Sequence, residues 1–128
     1  MKINRKILVV IGWLLVLTVV LLSLIPISAA MPDIQNSDKV GHFIAYFSIM
    51  IWFAWLYQKP WVRNLYAICF IFMGGILEFL QSLTSYRSLD IDDFHMNTIG
   101  VIVGFVASVL TYNLPLIKNT FDNHNKTS

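Results

Sequence analysis

Residues 76–104, ILEFLQSLTSYRSLDIDDFHMNTIGVIVG, decide how this chain is read. Apolar sequence flanks the stretch on both sides, yet it carries Glu78, Gln81, Arg87, Asp90, Asp93 and Asn97 at regular spacings. An Asp or Arg at the centre of a membrane helix costs about 2.5–3.5 kcal/mol on insertion scales. Polar groups kept against such a penalty are expected to face one another and to serve a function. The rest of the chain is then the scaffold that gathers them.

Composition supports a membrane setting. Of 128 residues 57% are hydrophobic and 12% charged, and the mean hydropathy is +0.68. Soluble domains carry about 25% charged residues, so the chain reads as an integral membrane protein with room for one domain. A net charge of +2, scattered along the chain, gives no basic patch and excludes nucleic acid as a partner. Cys69 stands alone, so no internal disulfide exists.

Upstream, three basic residues within the first six precede an apolar run from Ile7 to Ile25, 19 residues long. As a helix the run spans about 28 Å, enough to cross a bilayer core. Ser28-Ala29-Ala30 offers a signal-peptide cleavage site, but a signal core is about 7–15 residues long, so the run reads as an uncleaved helix. The second helix is expected over residues 38–57, capped by Ser37 or Asp38. Asp38, Lys39, His42 and Tyr46 share about a third of its circumference. Trp52, Trp55, Tyr57 and Trp61 put aromatic rings near the far interface, and Gln58-Lys59-Pro60 makes the turn. The third helix covers residues 61–83, with Gly74-Gly75 opening a close approach and Glu78, Gln81 and Ser82 leading to its end.

The fourth helix covers residues 92–114, starting near Asp92 or Asp93 and ending before Pro115. Asp93, Asn97, Gly100, Gly104 and Ser108 form one stripe on it, and His95 points about 160° away from Asn97. Gly100-x-x-x-Gly104 is the small-residue spacing that lets membrane helices touch, and Gly74-Gly75 is expected to meet it. The polar tail, residues 118–128, reads as frayed. The expected fold is therefore all-α: a four-helix membrane domain, residues 1–117, followed by a cytoplasmic tail. Lys2, Arg5, Lys6, Lys59, Arg63, Lys118 and Lys126 fall on one side of it, and Lys39 and Arg87 on the other. That bias sets both termini in the cytoplasm and the polar residues at the extracytoplasmic end.

Glu78 cannot be explained as a cap, because a negative charge near a helix C-terminus is unfavourable. It needs a partner or a proton. With His42 it makes a candidate general acid/base pair, and Asp93 joins them as a candidate catalytic group. Glu78, Asp93, Asp90 and His42 also suit a hard divalent cation, although the pattern names no particular metal or other cofactor. Asp38, Lys39, Tyr46, Gln81, Arg87, Asp90 and Asn97 are the candidate ligand-binding residues. Each has a simpler role open to it. Asp38, Asp92 and Asp93 suit helix caps, Tyr46 suits an interface anchor, and Arg87 suits a surface ion pair with Asp90. Arg87 is otherwise expected to fold over the mouth of the site and pair with Asp90, Asp93 or Glu78.

Taken in order, Asp38-Lys39-x-x-His42-Phe43-x-x-Tyr46, Glu78-x-x-Gln81, Arg87 and Asp93-x-x-x-Asn97-x-x-Gly100-x-x-x-Gly104 resemble the VanZ-like family of small bacterial membrane proteins. The likeness covers about residues 33–108. It departs at Ser85-Tyr86, where the family pattern has a Pro-Gly turn. The family is named after a protein associated with resistance to the glycopeptide teicoplanin. The resemblance implies a role at the cell envelope and brings no established reaction with it.

Three readings follow. In the first, an outward-facing pocket binds an amphipathic envelope molecule: a lipid-linked cell-wall precursor, a lipid headgroup or a glycopeptide antibiotic. In the second, an intramembrane enzyme acts on a lipid-linked substrate, with Glu78 and His42 as acid and base. In the third, the polar set only locks helices together. Interhelical hydrogen bonds of this kind average about 0.6 kcal/mol, so that last use of so many polar groups is inefficient.

Overall fold

The computed structural model describes residues 3–25, 37–84 and 89–122, with the side chains of residues 37 and 38 left out. Five helices and no strands occur among the described residues: α1 (Arg5–Leu24), α2 (Ser37–Leu56), α3 (Pro60–Ser82), α4 (Ile91–Thr111) and α5 (Pro115–Phe121). The first four are long and apolar enough to cross a membrane. Within hydrocarbon a helix satisfies its own backbone donors and acceptors, which is why such runs fold this way. The protein is a multi-pass helical membrane protein.

Local chemistry sets the helix ends. Asn4 Oδ1 accepts from the Lys6 amide at 2.9 Å and starts α1. Gln58 Nε2 donates to the Ala54 and Trp55 carbonyls at 2.9 and 3.1 Å, closing the last turn of α2. Pro60 then opens α3, where its missing N–H is no loss. Asp90, rather than Asp92 or Asp93, caps α4: its Oδ1 accepts from the Asp92 amide at 3.0 Å. The expected start at Asp92 or Asp93 thus moves upstream, to the acid whose backbone is extended.

The four long helices alternate in direction, as three hydrogen bonds establish. Trp52 Nε1, late in α2, donates to the Leu8 carbonyl, early in α1, at 3.0 Å. Gln81, at the end of α3, donates to the Ser23 carbonyl at the end of α1. His42, early in α2, meets Asn97, early in α4. α2 is central, with Ile49, Met50, Phe53 and Ala54 all buried. Phe53 is enclosed by the rings of Trp13, Tyr57, Tyr66 and Phe70, with centroids 4.7–6.3 Å away. Large apolar residues such as Leu14, Leu17, Ile68, Phe72 and Leu110 point outward and form the lipid-facing surface.

Two expectations change here. Residues 118–121 belong to α5 instead of a frayed tail, and Phe121 is only 3% exposed, packed against Leu8, Leu56 and the rings of Trp52 and Trp55. Tyr112 also donates to Asp122 Oδ1 at 3.1 Å, pinning the end of α5 back onto the bundle. Nearby, Trp52 and Trp55, late in α2, use their indole N–H groups within the protein. Trp55 bonds Thr111 Oγ1 at 3.0 Å and so joins α2 to α4.

The second change concerns the glycines. α2 and α4 form the closest pair. A Cβ added at Gly100 would lie 2.7 Å from the Phe43 carbonyl oxygen, and one at Gly104 would lie 2.8 Å from that of Phe47. The Gly100/Gly104 stripe thus packs on α2, and neither glycine is among the nearest neighbours of Gly74 or Gly75. Gly74 faces Asn97 and Tyr46, while Gly75 faces Phe94. The spacing announces a close approach but does not say to which helix.

Candidate functional site

The site forms where α1 and α3 end and α2 and α4 begin. The tight α2–α4 contact brings the first turns of those helices side by side. His42 Nδ1 lies 2.8 Å from Asn97 Oδ1, and His42 Nε2 lies 3.5 Å from Asp93 Oδ2. One imidazole therefore spans two successive turns of α4. Asp93 and Asn97 are four residues apart and share a face, and they are 3% and 2% exposed.

Glu78 reaches the cluster from α3 and is 3% exposed. Its Oε1 accepts from the backbone amide of Asp90 at 3.0 Å. One turn on, Gln81 is buried and donates through Nε2 to the Ser23 carbonyl, so α1 forms a fourth wall. Tyr46 lies one turn below His42 on α2 and is also buried. Its hydroxyl and Gln81 Oε1 make no hydrogen bond among the described residues. Potential ligand atoms of His42, Glu78 and Asp93 all lie within 4.8 Å of one another. Chemically, the arrangement can move a proton between imidazole and carboxylate, or hold a cation or a hydroxyl-rich group.

Other candidates stand apart. The Asp90 carboxylate is engaged as the α4 cap, and only its backbone N–H reaches Glu78. Lys39 Nζ pairs with Asp92 Oδ2 at 3.4 Å in the solvated rim at this end. His95 and Cys69 are exposed on outward faces. The side chain of Asp38 and the whole of Arg87 lie outside the described residues, and with them the expected Ser37/Asp38 cap and the Arg87 pairing. Sequence reasoning missed two backbone groups, the Asp90 amide and the Ser23 carbonyl. Neither carries a side-chain signature, and only the depth of Glu78 and Gln81 hinted that something would have to meet them.

A family model described as VanZ/LLP1 matches residues 6–112, from α1 through the end of α4. The chain belongs to the VanZ/LLP1 family. The matched segment contains every residue of the cluster. Among curated proteins, this VanZ/LLP1 chain is similar to an uncharacterized protein of Schizosaccharomyces pombe, 28% identical over 85 residues. The alignment covers 64% of this chain and 52% of the yeast protein, so the chain spans about half the length of that relative. No solved structure matches.

Proposed function

We propose that this VanZ/LLP1 protein receives the polar head of an amphipathic cell-envelope molecule in the bacterial cytoplasmic membrane. Lipid-linked cell-wall precursors, phospholipids and glycopeptides are the candidate ligands. One juxtaposition carries the reading. The inner faces of α3 and α4 bring Glu78, Asp93 and Asn97 against His42 of α2, and the outer faces of the same two helices frame an apolar groove of about 440 Å³. Ile71, Phe72, Gly75, Ile76, Phe79 and Phe94 line that groove. Hydrocarbon walls suit an acyl or prenyl chain, while a cluster of carboxylates, imidazole and amide suits a head rich in hydroxyl or amino groups. A phosphate on that head can draw Lys39 from its exposed partner Asp92.

Native mass spectrometry of protein purified in mild detergent tests the reading. The wild-type chain is expected to carry an amphiphile, and Glu78→Ala to bind it about tenfold or more weakly, because hydrogen bonds to charged groups contribute about 1.5–3 kcal/mol. His95→Ala, on an outward face, should retain it. Identical lipid complements in all three proteins would sink the proposal. A catalytic reading draws on His42, set between Asp93 and Asn97 with Glu78 at hand. Its signature is a chemical change in the retained molecule during incubation. Growth of an expressing host on teicoplanin tests the link to glycopeptide resistance.

Sidedness belongs to the same proposal. Arg5, Lys6, Lys59, Arg63 and Lys118 cluster at the end opposite the site, which supports that end being cytoplasmic. In a Cys69→Ala background, an impermeant maleimide added outside intact cells is expected to label Leu89→Cys and to spare Asn113→Cys. The reverse pattern would overturn the orientation.

A further inference from the structure

We propose that His42, Glu78 and Asp93 together bind one divalent transition-metal ion, with Asn97 as the residue that orients the imidazole. The donor set is mixed nitrogen and oxygen, which suits Zn²⁺ or Mn²⁺ better than an ion that prefers oxygen alone. It goes beyond the amphiphile reading and does not depend on the identity of that molecule.

The tautomer supplies the first argument. An amide oxygen only accepts, so the 2.8 Å contact with Asn97 Oδ1 puts the proton on His42 Nδ1. Nε2 then faces Asp93 Oδ2 across 3.5 Å. In the neutral imidazole Nε2 is then the nitrogen with the lone pair, turned towards the Asp93 carboxylate, so that one cation can meet both. An imidazole fixed by a hydrogen bond at its other nitrogen is the usual way a protein presents a metal-ligating histidine.

Spacing supplies the second. Metal bonds of about 2.0–2.1 Å place neighbouring tetrahedral donors ~3.3 Å apart, and opposed donors of a six-coordinate ion ~4.2 Å apart. The observed 3.5 Å pair fits the shorter spacing, and a pair at the 4.8 Å outer limit closes by about 0.6 Å for opposed donors or about 1.5 Å for tetrahedral ones. The third argument is burial. Glu78 and Asp93 bring two carboxylates into a site that is 3% exposed at each, and a divalent ion meets both together with the imidazole lone pair. Glu78 is already oriented by the Asp90 amide at 3.0 Å, as a metal-ligating carboxylate commonly is.

Tyr46 gives an independent pointer to a ligand. Its hydroxyl is buried one turn from His42 and makes no hydrogen bond among the described residues, and its ring shares the contact over Gly74 with Asn97. A water or ligand oxygen on the ion is the partner it lacks. Three protein ligands with one further position is the coordination pattern of sites that act on a bound molecule.

The test uses the full chain in mild detergent, stripped with a chelator, reloaded separately with Zn²⁺ and Mn²⁺, and assayed by elemental mass spectrometry. Wild type and His95→Ala are expected to hold about one ion per chain, and Glu78→Gln and Asp93→Asn less than about a tenth of that. Asn97→Ala should weaken binding by about 10–100-fold, the usual effect of losing an orienting partner. A wild-type chain that takes up neither ion, or carboxamide variants that load fully, would overturn the proposal. Should those variants fail to stay monodisperse, pulsed EPR of Mn²⁺-loaded His95→Ala decides. Coupling to an imidazole nitrogen is expected there, and its absence overturns the site. A metal-free protein that still retains its amphiphile would reject this inference while leaving the binding reading intact.

Discussion

Replacing Gly100 by leucine is expected to part α2 from α4 and to leave little folded protein in detergent. The obstacle is backbone. A Cβ at this position would lie 2.7 Å from the Phe43 carbonyl oxygen and 3.1 Å from the Phe47 nitrogen, and neither atom can rotate aside. Overpacking in a close-packed interior costs about 1–3 kcal/mol where side chains can adjust. Here two helices must move, and leucine adds three carbons beyond the Cβ, so a loss above about 3 kcal/mol is expected. That is a large share of the roughly 5–15 kcal/mol that stabilises a typical native protein. Thermal unfolding followed by circular dichroism, with the monodisperse fraction on gel filtration, measures it. Gly41→Ala is the control: its Cβ would meet nothing within 4 Å, and alanine should add about 0.5–1 kcal/mol of helix stability. Equal behaviour of the two variants would show that the α2–α4 contact is looser than described. Because that contact also sets His42 against Asp93 and Asn97, metal uptake by Gly100→Leu should vanish with the fold.

Phe53→Ala should have the next largest effect. The ring is 0% exposed and meets four other rings. In a water-soluble core such a truncation costs about 3–5 kcal/mol. Part of that figure is transfer out of water, and it shrinks where the alternative surroundings are lipid tails. The cavity and the lost ring contacts remain, so about 2–3 kcal/mol is expected. Phe72 makes the comparison sharp. It is the same residue type, 68% exposed on an outward face of α3, and Phe72→Ala should be nearly silent in a bilayer or detergent. Reversible unfolding in mixed micelles gives both values. Comparable losses at the two positions would mean that the outward face of α3 is buried against protein.

Much of this arrangement is legible in the sequence. The four long helices follow from apolar runs that span a bilayer, and turn chemistry at Pro60 sets one boundary. Helical phase alone put Asp93 with Asn97, His42 with Tyr46, and Glu78 with Gln81 on shared faces, because charged and amide groups cannot be left to lipid. The expectation failed where the physics is not written in side-chain pattern. α5 is too short for periodicity to register, and what holds it is the ring of Phe121 packed against Leu8 of α1 and Leu56 of α2, with Ile117 beside it and the Tyr112–Asp122 hydrogen bond. The glycine spacing in α4 suits contact with α3 as well as with α2, since no pattern distinguishes one neighbouring helix from another. The α4 cap fell to Asp90 because the residue that caps is the one whose backbone turns extended, a property that three nearby acids share equally on paper.

The peptide of Asp90 faces two ways. Its amide holds Glu78 Oε1 at 3.0 Å, and the carboxylate on the same residue secures the first turn of α4 through the Asp92 amide at 3.0 Å. The last turns of α3 and the start of α4 are thus tethered through one residue. Anything that draws the Glu78 carboxylate towards itself, whether proton, ion or ligand, pulls on the same joint that winds α4. Site and first turn therefore share one residue, immediately beside the rim where Asp92 and Lys39 meet.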